Sequence, residues 1–232
     1  MKELLRKILP RRLISAVRML TIMQGKHGHV NQRNGFPTNG QGEYQPWLTY
    51  PLIEYLKGFD LGEKCVFEYG AGASTLFWAS RATQVESVEF DRRWFDALAP
   101  IVPANVLLHH ESNGIAYANK ILDAEGWFDV IVVDGAERYR SAEAALKKLA
   151  PGGMIILDNA EWYPNTADLL RTFGLIEVRF SGFSPINAFT STSSVFLHRD
   201  FDFPTSSASR CPPVGGVSIK GGTLDDGPGS GQ

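Results

Sequence analysis

The feature that most constrains this chain is a regular exchange between short apolar, β-rich runs and stretches with helical spacing. The runs fall at Cys65–Tyr69, Val85–Phe90, Val106–Leu108, Phe128–Val133 and Met154–Leu157. Helical patterns lie between them at Thr75–Ser80, Trp94–Leu98, Ile115–Ile121 and Ala142–Leu149. Strands alternating with helices of this length are joined by right-handed crossovers, which require a parallel sheet covered on both faces. A last helix near Ala167–Thr172 precedes two strand patterns, Ile176–Phe180 and Ser194–Leu197, with no comparable helix between them. That pair predicts an antiparallel hairpin at the sheet edge. The expected fold is α/β, doubly wound and Rossmann-like, mostly parallel with an antiparallel close.

A chain of 232 residues, 44% of them hydrophobic, is long enough for one sizeable core with short appendages. The domain is expected over residues 47–203. Residues 1–26 carry Lys2, Arg6, Lys7, Arg11, Arg12, Arg18 and Lys26 against the single acid Glu3. Leu5, Leu9, Leu13, Val17 and Leu20 recur there at helical spacing, and Pro10 breaks the stretch in two. Arg18 interrupts the apolar run that a signal peptide needs, and no run approaches a membrane span. The stretch reads as a basic amphipathic helix, packed on the domain or a partner, or held peripherally at an anionic membrane. Residues 27–46, rich in Gly, Asn and Gln, read as a linker or lid in which His27 and His29 are solvated. Residues 204–232 read as a disordered Pro/Ser/Gly tail.

Formal net charge is −2, so there is no electrostatic footprint for nucleic acid, and none is expected as a partner. Cys65 and Cys211 lie far apart and outside any metal-binding spacing, which fits a reducing, cytoplasmic setting.

Ligands of such a sheet sit at the carboxyl ends of its strands. The first end reads Glu68-Tyr69-Gly70-Ala71-Gly72-Ala73-Ser74-Thr75. Gly70 and Gly72 permit a tight turn and bring bare amides of the loop, Ala71 and Ser74 included, close to a ligand. Nicotinamide and flavin proteins use a similar glycine loop, but here Thr75 stands in place of a third glycine. Glu68 would repel a pyrophosphate, whereas the ammonium and sulfonium of S-adenosylmethionine are cations. Glu89 follows at the spacing of an acid that grips ribose hydroxyls, while Asp91 suits a helix cap. After the third strand Ser112 is the candidate for the adenine edge. The fourth and fifth ends close in Asp134-Gly135 and, after Pro151-Gly152-Gly153, in Asp158-Asn159.

Over residues 48–199 these motifs resemble the class I S-adenosylmethionine-dependent methyltransferases. Glu68-x-Gly70-x-Gly72 is similar to their first motif, Glu89 to their ribose acid, and Asp134 to their acid after the fourth strand. The resemblance implies a seven-stranded sheet and methyl transfer to a small-molecule acceptor, for which a hydroxyl fits best. Asp134 with Asp158 and Asn159 is further similar to the Mg²⁺-dependent O-methyltransferases, whose ion lowers the pKa of a substrate hydroxyl. This chain has Gly135-Ala136-Glu137-Arg138-Tyr139 where those enzymes place a lysine. Asp134, Asp158 and Glu137 are the candidate bases, and Trp47, Tyr50 and Trp162-Tyr163 candidate pocket walls. A non-catalytic cofactor-binding or scaffold protein and an NAD(P)-dependent oxidoreductase are the competing readings.

Overall fold

The computed structural model describes residues 10–217. Its elements are α1 (Arg11–Gly25), a small hairpin of β1 (Gln32–Arg33) and β2 (Phe36–Pro37), α2 (Tyr50–Lys57), β3 (Cys65–Tyr69), α3 (Ala73–Ala79), β4 (Gln84–Glu89), α4 (Arg92–Leu98) and β5 (Val106–His110). There follow α5 (Gly114–Asp123), β6 (Phe128–Val133), α6 (Arg138–Ala145), β7 (Leu149–Leu157), α7 (Pro164–Thr172), β8 (Ile176–Phe183) and β9 (Thr190–Leu197). The main sheet has seven strands in the order β5-β4-β3-β6-β7-β9-β8. Strands β3 to β7 pair in parallel, and β9 runs antiparallel to both β7 and β8.

Side-chain alternation along each strand sends neighbours to opposite faces, and both faces are covered. Phe67, Tyr69, Ile131, Val133 and Leu157 pack with Tyr117, Ile121, Ala142 and Leu170 from α5, α6 and α7. Val66, Val130, Val132, Ile156 and Val195 pack with Leu52, Ile53, Leu56 and Trp78 from α2 and α3. Strand order reverses between β3 and β6, and that switch point opens a crevice at the carboxyl ends. Asp91 caps α4 through Arg93 N at 2.8 Å, and Asn113 caps α5 through Ile115 N and Ala116 N at 3.1 Å. Several boundaries differ from expectation, among them that of the helix before β7. The helix read at Ala142–Leu149 is Arg138–Ala145, because Leu149 already pairs with Phe128 at the start of β7.

The segments flanking the domain depart further from their sequence reading. Residues 27–46 fold onto the body instead of lying in solvent. Phe36 is fully buried with its ring 4.8 Å from Trp94, and Gln45 Nε2 bridges the carbonyls of His27 and Thr38 at 2.9 and 3.0 Å. His27 packs its ring 4.2 Å from Tyr50, and His29 Nδ1 lies 3.1 Å from the Tyr50 hydroxyl, so neither is a free loop histidine. Residues 204–214 of the expected tail are docked along α2 and the turn after it. Asp60 N donates to Pro204 O at 2.8 Å, Ser206 N to Gly58 O at 2.8 Å, and Val214 N to Glu54 Oε2 at 3.2 Å. Backbone bonds of this kind need no apolar side chains, which is why composition did not show them. Residues 218–232 of that tail, and residues 1–9, lie outside the described residues.

Candidate functional site

The turn after β3 is set by Gly70 at φ +88°, where a Cβ would lie 2.8 Å from Asp134 O and Gly135 Cα. Only a residue without a side chain lets these two strand ends touch. Gly72 begins α3, its N–H donating to Thr75 Oγ1 at 2.9 Å. Thr75 Oγ1 in turn donates to Glu68 Oε2, which also accepts from Ser87 Oγ at 3.1 Å. Glu68 and Thr75 are fully buried beneath the loop, so they brace it from below and do not line the cavity. The second oxygen of Glu68, Oε1, is buried with no partner, and burial pushes this carboxyl up to about 7.

At the end of β4, Glu89 lines the cavity while 93% of it is withdrawn from solvent (7% exposed). Its Oε1 accepts from Asp91 N at 2.7 Å, which holds the carboxylate toward the glycine loop. Burial raises its pKa, against backbone hydrogen bonds from Asp91, Ala71 and Phe90 that lower it. Phe90, Asp91 and Trp94 line the same end. Ser112 does not: it is exposed and outside the cavity. Beyond β5, Glu111 Oε1 accepts from Asn113 N at 2.8 Å and turns the chain into α5, so no wall forms there. Phe90 and Trp94, from the neighbouring strand's end, line the cavity on that side.

The other end is built from β6, β7 and β9. Asp134, 20% exposed, binds Arg138 through an Oδ1–Nη2 contact of 3.0 Å. The same guanidinium donates to Gly135 O at 3.1 Å and to Asp158 O, and reaches Asn159 Oδ1 at 3.5 Å. It rests on the Tyr163 ring, 4.4 Å from its centroid. Asp158 is 4% exposed; its Oδ1 accepts from Ser193 Oγ, which itself accepts from Thr49 N at 3.1 Å. Burial pushes Asp158 up to about 6, and burial with the neighbouring Asp158 charge raises Asp134.

These contacts correct the magnesium expectation. Oδ1 of Asp134 and Oδ1 of Asn159 are turned to a cation that the chain itself supplies, and Oδ1 of Asp158 is turned to a hydroxyl. No group of three or more His, Cys, Asp or Glu able to hold a metal occurs among the described residues. The donor set therefore does not fit Mg²⁺. Glu137 also falls away as a base. It sits at φ +49° and is bound to Arg140 Nη1 at 2.7 Å, outside the cavity. Arg138 was the residue to notice in the sequence, since the first residue of α6 returns to Asp134 across the short Gly135–Glu137 turn.

Together the strand ends enclose a cavity of about 570 Å³. Of the sequence candidates, Gly70, Ala71, Gly72, Ser74, Glu89, Asp134, Asp158 and Asn159 line it, as do Trp47 and Trp162. Tyr50 and Tyr163 pack elsewhere, on the histidines and on Arg138. Pro37, Asn187 and Phe189, which carry no local sequence signal, complete the wall.

No protein-family model and no curated protein matches the chain in sequence. Solved structures do match in fold. One is the O-methyltransferase TomG of Streptomyces achromogenes, involved in tomaymycin synthesis and solved in complex with SAM (S-adenosylmethionine). It is 16% identical with a TM-score of 0.50, over 63% of this chain and 76% of that one. Another is the precorrin-6y C5,15-methyltransferase of Geobacter metallireducens, 14% identical with a TM-score of 0.50, over 73% of this chain and 94% of that one. The fold is thus the Rossmann-like α/β fold that these methyltransferases share.

Proposed function

We propose that the chain is an S-adenosylmethionine-dependent methyltransferase whose acceptor is a small-molecule hydroxyl, and that it works without a metal. The observation that carries the reading is one cavity with bare glycine-loop backbone and Glu89 at one end and three anionic or polar strand-end groups, Asp134, Asp158 and Asn159, at the other. S-adenosylmethionine, when bound, supplies a methyl group already activated on a cationic sulfur. Glu89 would accept from the ribose hydroxyls of the bound cofactor, and Phe90 and Trp94 offer apolar surface for its base. Asp134, held by Arg138, presents negative charge to the cationic end. Asp158, beside Trp162 and Phe189, takes the proton that a hydroxyl loses as its oxygen is alkylated. The fold of TomG and of the precorrin enzyme supports the same reading.

A calorimetric titration of the full chain with S-adenosylmethionine tests it. Binding is expected at micromolar Kd, and Glu89→Ala is expected to weaken it by about 1.5–3 kcal/mol. Asp134 and Glu68 are held above their usual carboxyl range in the empty protein, so a cationic ligand favours their ionised forms. Affinity is therefore expected to rise with pH through about 7. Labelled cofactor with a panel of phenols and sugars then reads turnover, which is expected to persist in excess EDTA. Absence of cofactor binding sinks the proposal; turnover that EDTA abolishes sinks its metal-free part. Binding without turnover on any acceptor favours the non-catalytic reading.

A further inference from the structure

Helix α1 spans 15 residues without burying one of them. It is tied to the body only at its C-terminal end. There Met23 packs against the α2–α3 side of the core, and Ile22 lies where a Cβ on Gly215 would be 2.5 Å from its Cγ2. Leu13, Val17 and Leu20, at 46%, 53% and 62% exposure, recur at i, i+4 and i+7. With 100° per residue they form one stripe with Ala16, on the side opposite Ile22, Arg11 and Arg18. The stripe runs on toward Met23, but its own apolar side chains are left uncovered by the domain. Nothing local favours the helix strongly. Its N-cap is Pro10 with no side-chain capping bond, its first turn has no acid, and Ile14, Val17, Thr21 and Ile22 are β-branched. A helix of this length is marginal in water unless an apolar face is covered.

Charge identifies the cover. Between Glu3 and Glu43 the chain has no acidic residue, while Arg6, Lys7, Arg11, Arg12, Arg18, Lys26 and Arg33 are basic. A second copy of the same helix would set these cations against one another. Nucleic acid would meet the cations but leave Leu13, Val17 and Leu20 in water. An anionic lipid surface satisfies both, with apolar side chains among the acyl chains and arginines at the phosphates. No described helix is long and apolar enough to cross a membrane, so the geometry is that of a helix lying in the headgroup layer.

We propose that α1 docks the protein onto an anionic lipid surface, with its Leu13-Val17-Leu20 stripe turned to the acyl chains and Arg11, Arg12 and Arg18 on its polar side reaching the headgroup phosphates. The test is co-sedimentation of the full chain with phosphatidylcholine vesicles and with vesicles containing about one-third phosphatidylglycerol. Pelleting is expected only with the anionic vesicles, and to fall steeply as salt rises. Replacing Arg11, Arg12 and Arg18 together by Gln is expected to lower partitioning about 100-fold, since each cation near such a surface is worth roughly a factor of five. The double change Val17→Glu with Leu20→Glu is expected to abolish pelleting with the Tm unchanged, because neither side chain packs on the body. No pelleting of the unaltered chain on anionic vesicles overturns the proposal. So does equal binding to neutral vesicles, or binding that survives the glutamates. A concentration-dependent dimer that the glutamates dissolve also overturns it, making a second copy the occupant.

Discussion

The two ends of the cavity are built on different principles. At β3 and β4 the wall is largely backbone: a glycine turn at φ +88° and bare amides, with Glu89 held by Asp91 N and the rings of Phe90 and Trp94 beside it. At β6, β7 and β9 it is a side-chain network in which Asp134, Arg138, Asp158 and Ser193 satisfy one another across three strands. A backbone wall is fixed by the fold, and on the proposed reading it is the end that holds the cofactor. A side-chain network changes residue by residue, and on the same proposal it is the end that meets the acceptor. The comparison breaks most sharply under substitutions that touch one end alone.

Gly70→Val carries the largest expected effect. The new side chain meets both the left-handed φ and the Asp134–Gly135 backbone at 2.8 Å. The cost is expected at about 3 kcal/mol or more, with loss of cofactor binding on calorimetry and a lowered Tm. Gly72 is the milder position, since a Cβ there meets only the Trp94 indole at 3.3 Å. If Gly70→Val binds cofactor normally, the backbone wall is not the cofactor wall.

Asp158→Asn probes the other end. The amide keeps the shape and can still accept from Ser193, but it takes no proton. Turnover is expected to fall by about 10²–10⁴-fold, with the cofactor Kd changed by less than about threefold. In the unaltered chain the rate is expected to rise with pH through about 6, as Asp158 ionises. Parallel losses in Kd and rate would show that the two ends are not separable.

The same division explains what the sequence made legible. The glycine turn and Glu89 follow one strand each, at short spacings that backbone geometry dictates, and they were readable. So was the β8–β9 hairpin, because its lack of an intervening helix leaves no other pairing. The network was not readable in full. Asp134, Asp158 and Asn159 were placed correctly at strand ends, but their partners Ser193 and Thr49 come from distant segments that only the sheet order brings together. Arg138 stood in plain view, yet whether it faces Asp134 or solvent depends on the first turn of α6 and the Tyr163 ring beneath it. Ser112 lies outside the cavity for a related reason. Strand β5 is at the sheet edge, and the cavity is closed on that side by Phe90 and Trp94 from its neighbour's end.

The smallest expected effect concerns Glu68, which belongs to neither wall but lies beneath the first. Burial holds its carboxyl at about 7, well above the ordinary range near 4.5, so the folded chain binds its proton more tightly than the unfolded chain does. Stability should accordingly decline as pH rises from about 4.5 to 7, and the buried charge is carried in full above that. Glu68→Gln removes the charge while its carbonyl oxygen still accepts from Thr75 and Ser87. The new amide group points where Oε1 has no partner, which limits the gain. A stabilisation of about 1 kcal/mol, seen as a rise of ~2–4 °C in Tm, is expected at pH 8 and should vanish near pH 5. Cofactor affinity at pH 8 should fall at the same time, because a cation above the loop loses a buried negative charge below it. Stability gained and affinity lost in one substitution would mean that Glu68 keeps a costly charge for the ligand. A rise in Tm with unchanged affinity would confine it to bracing the loop through Thr75.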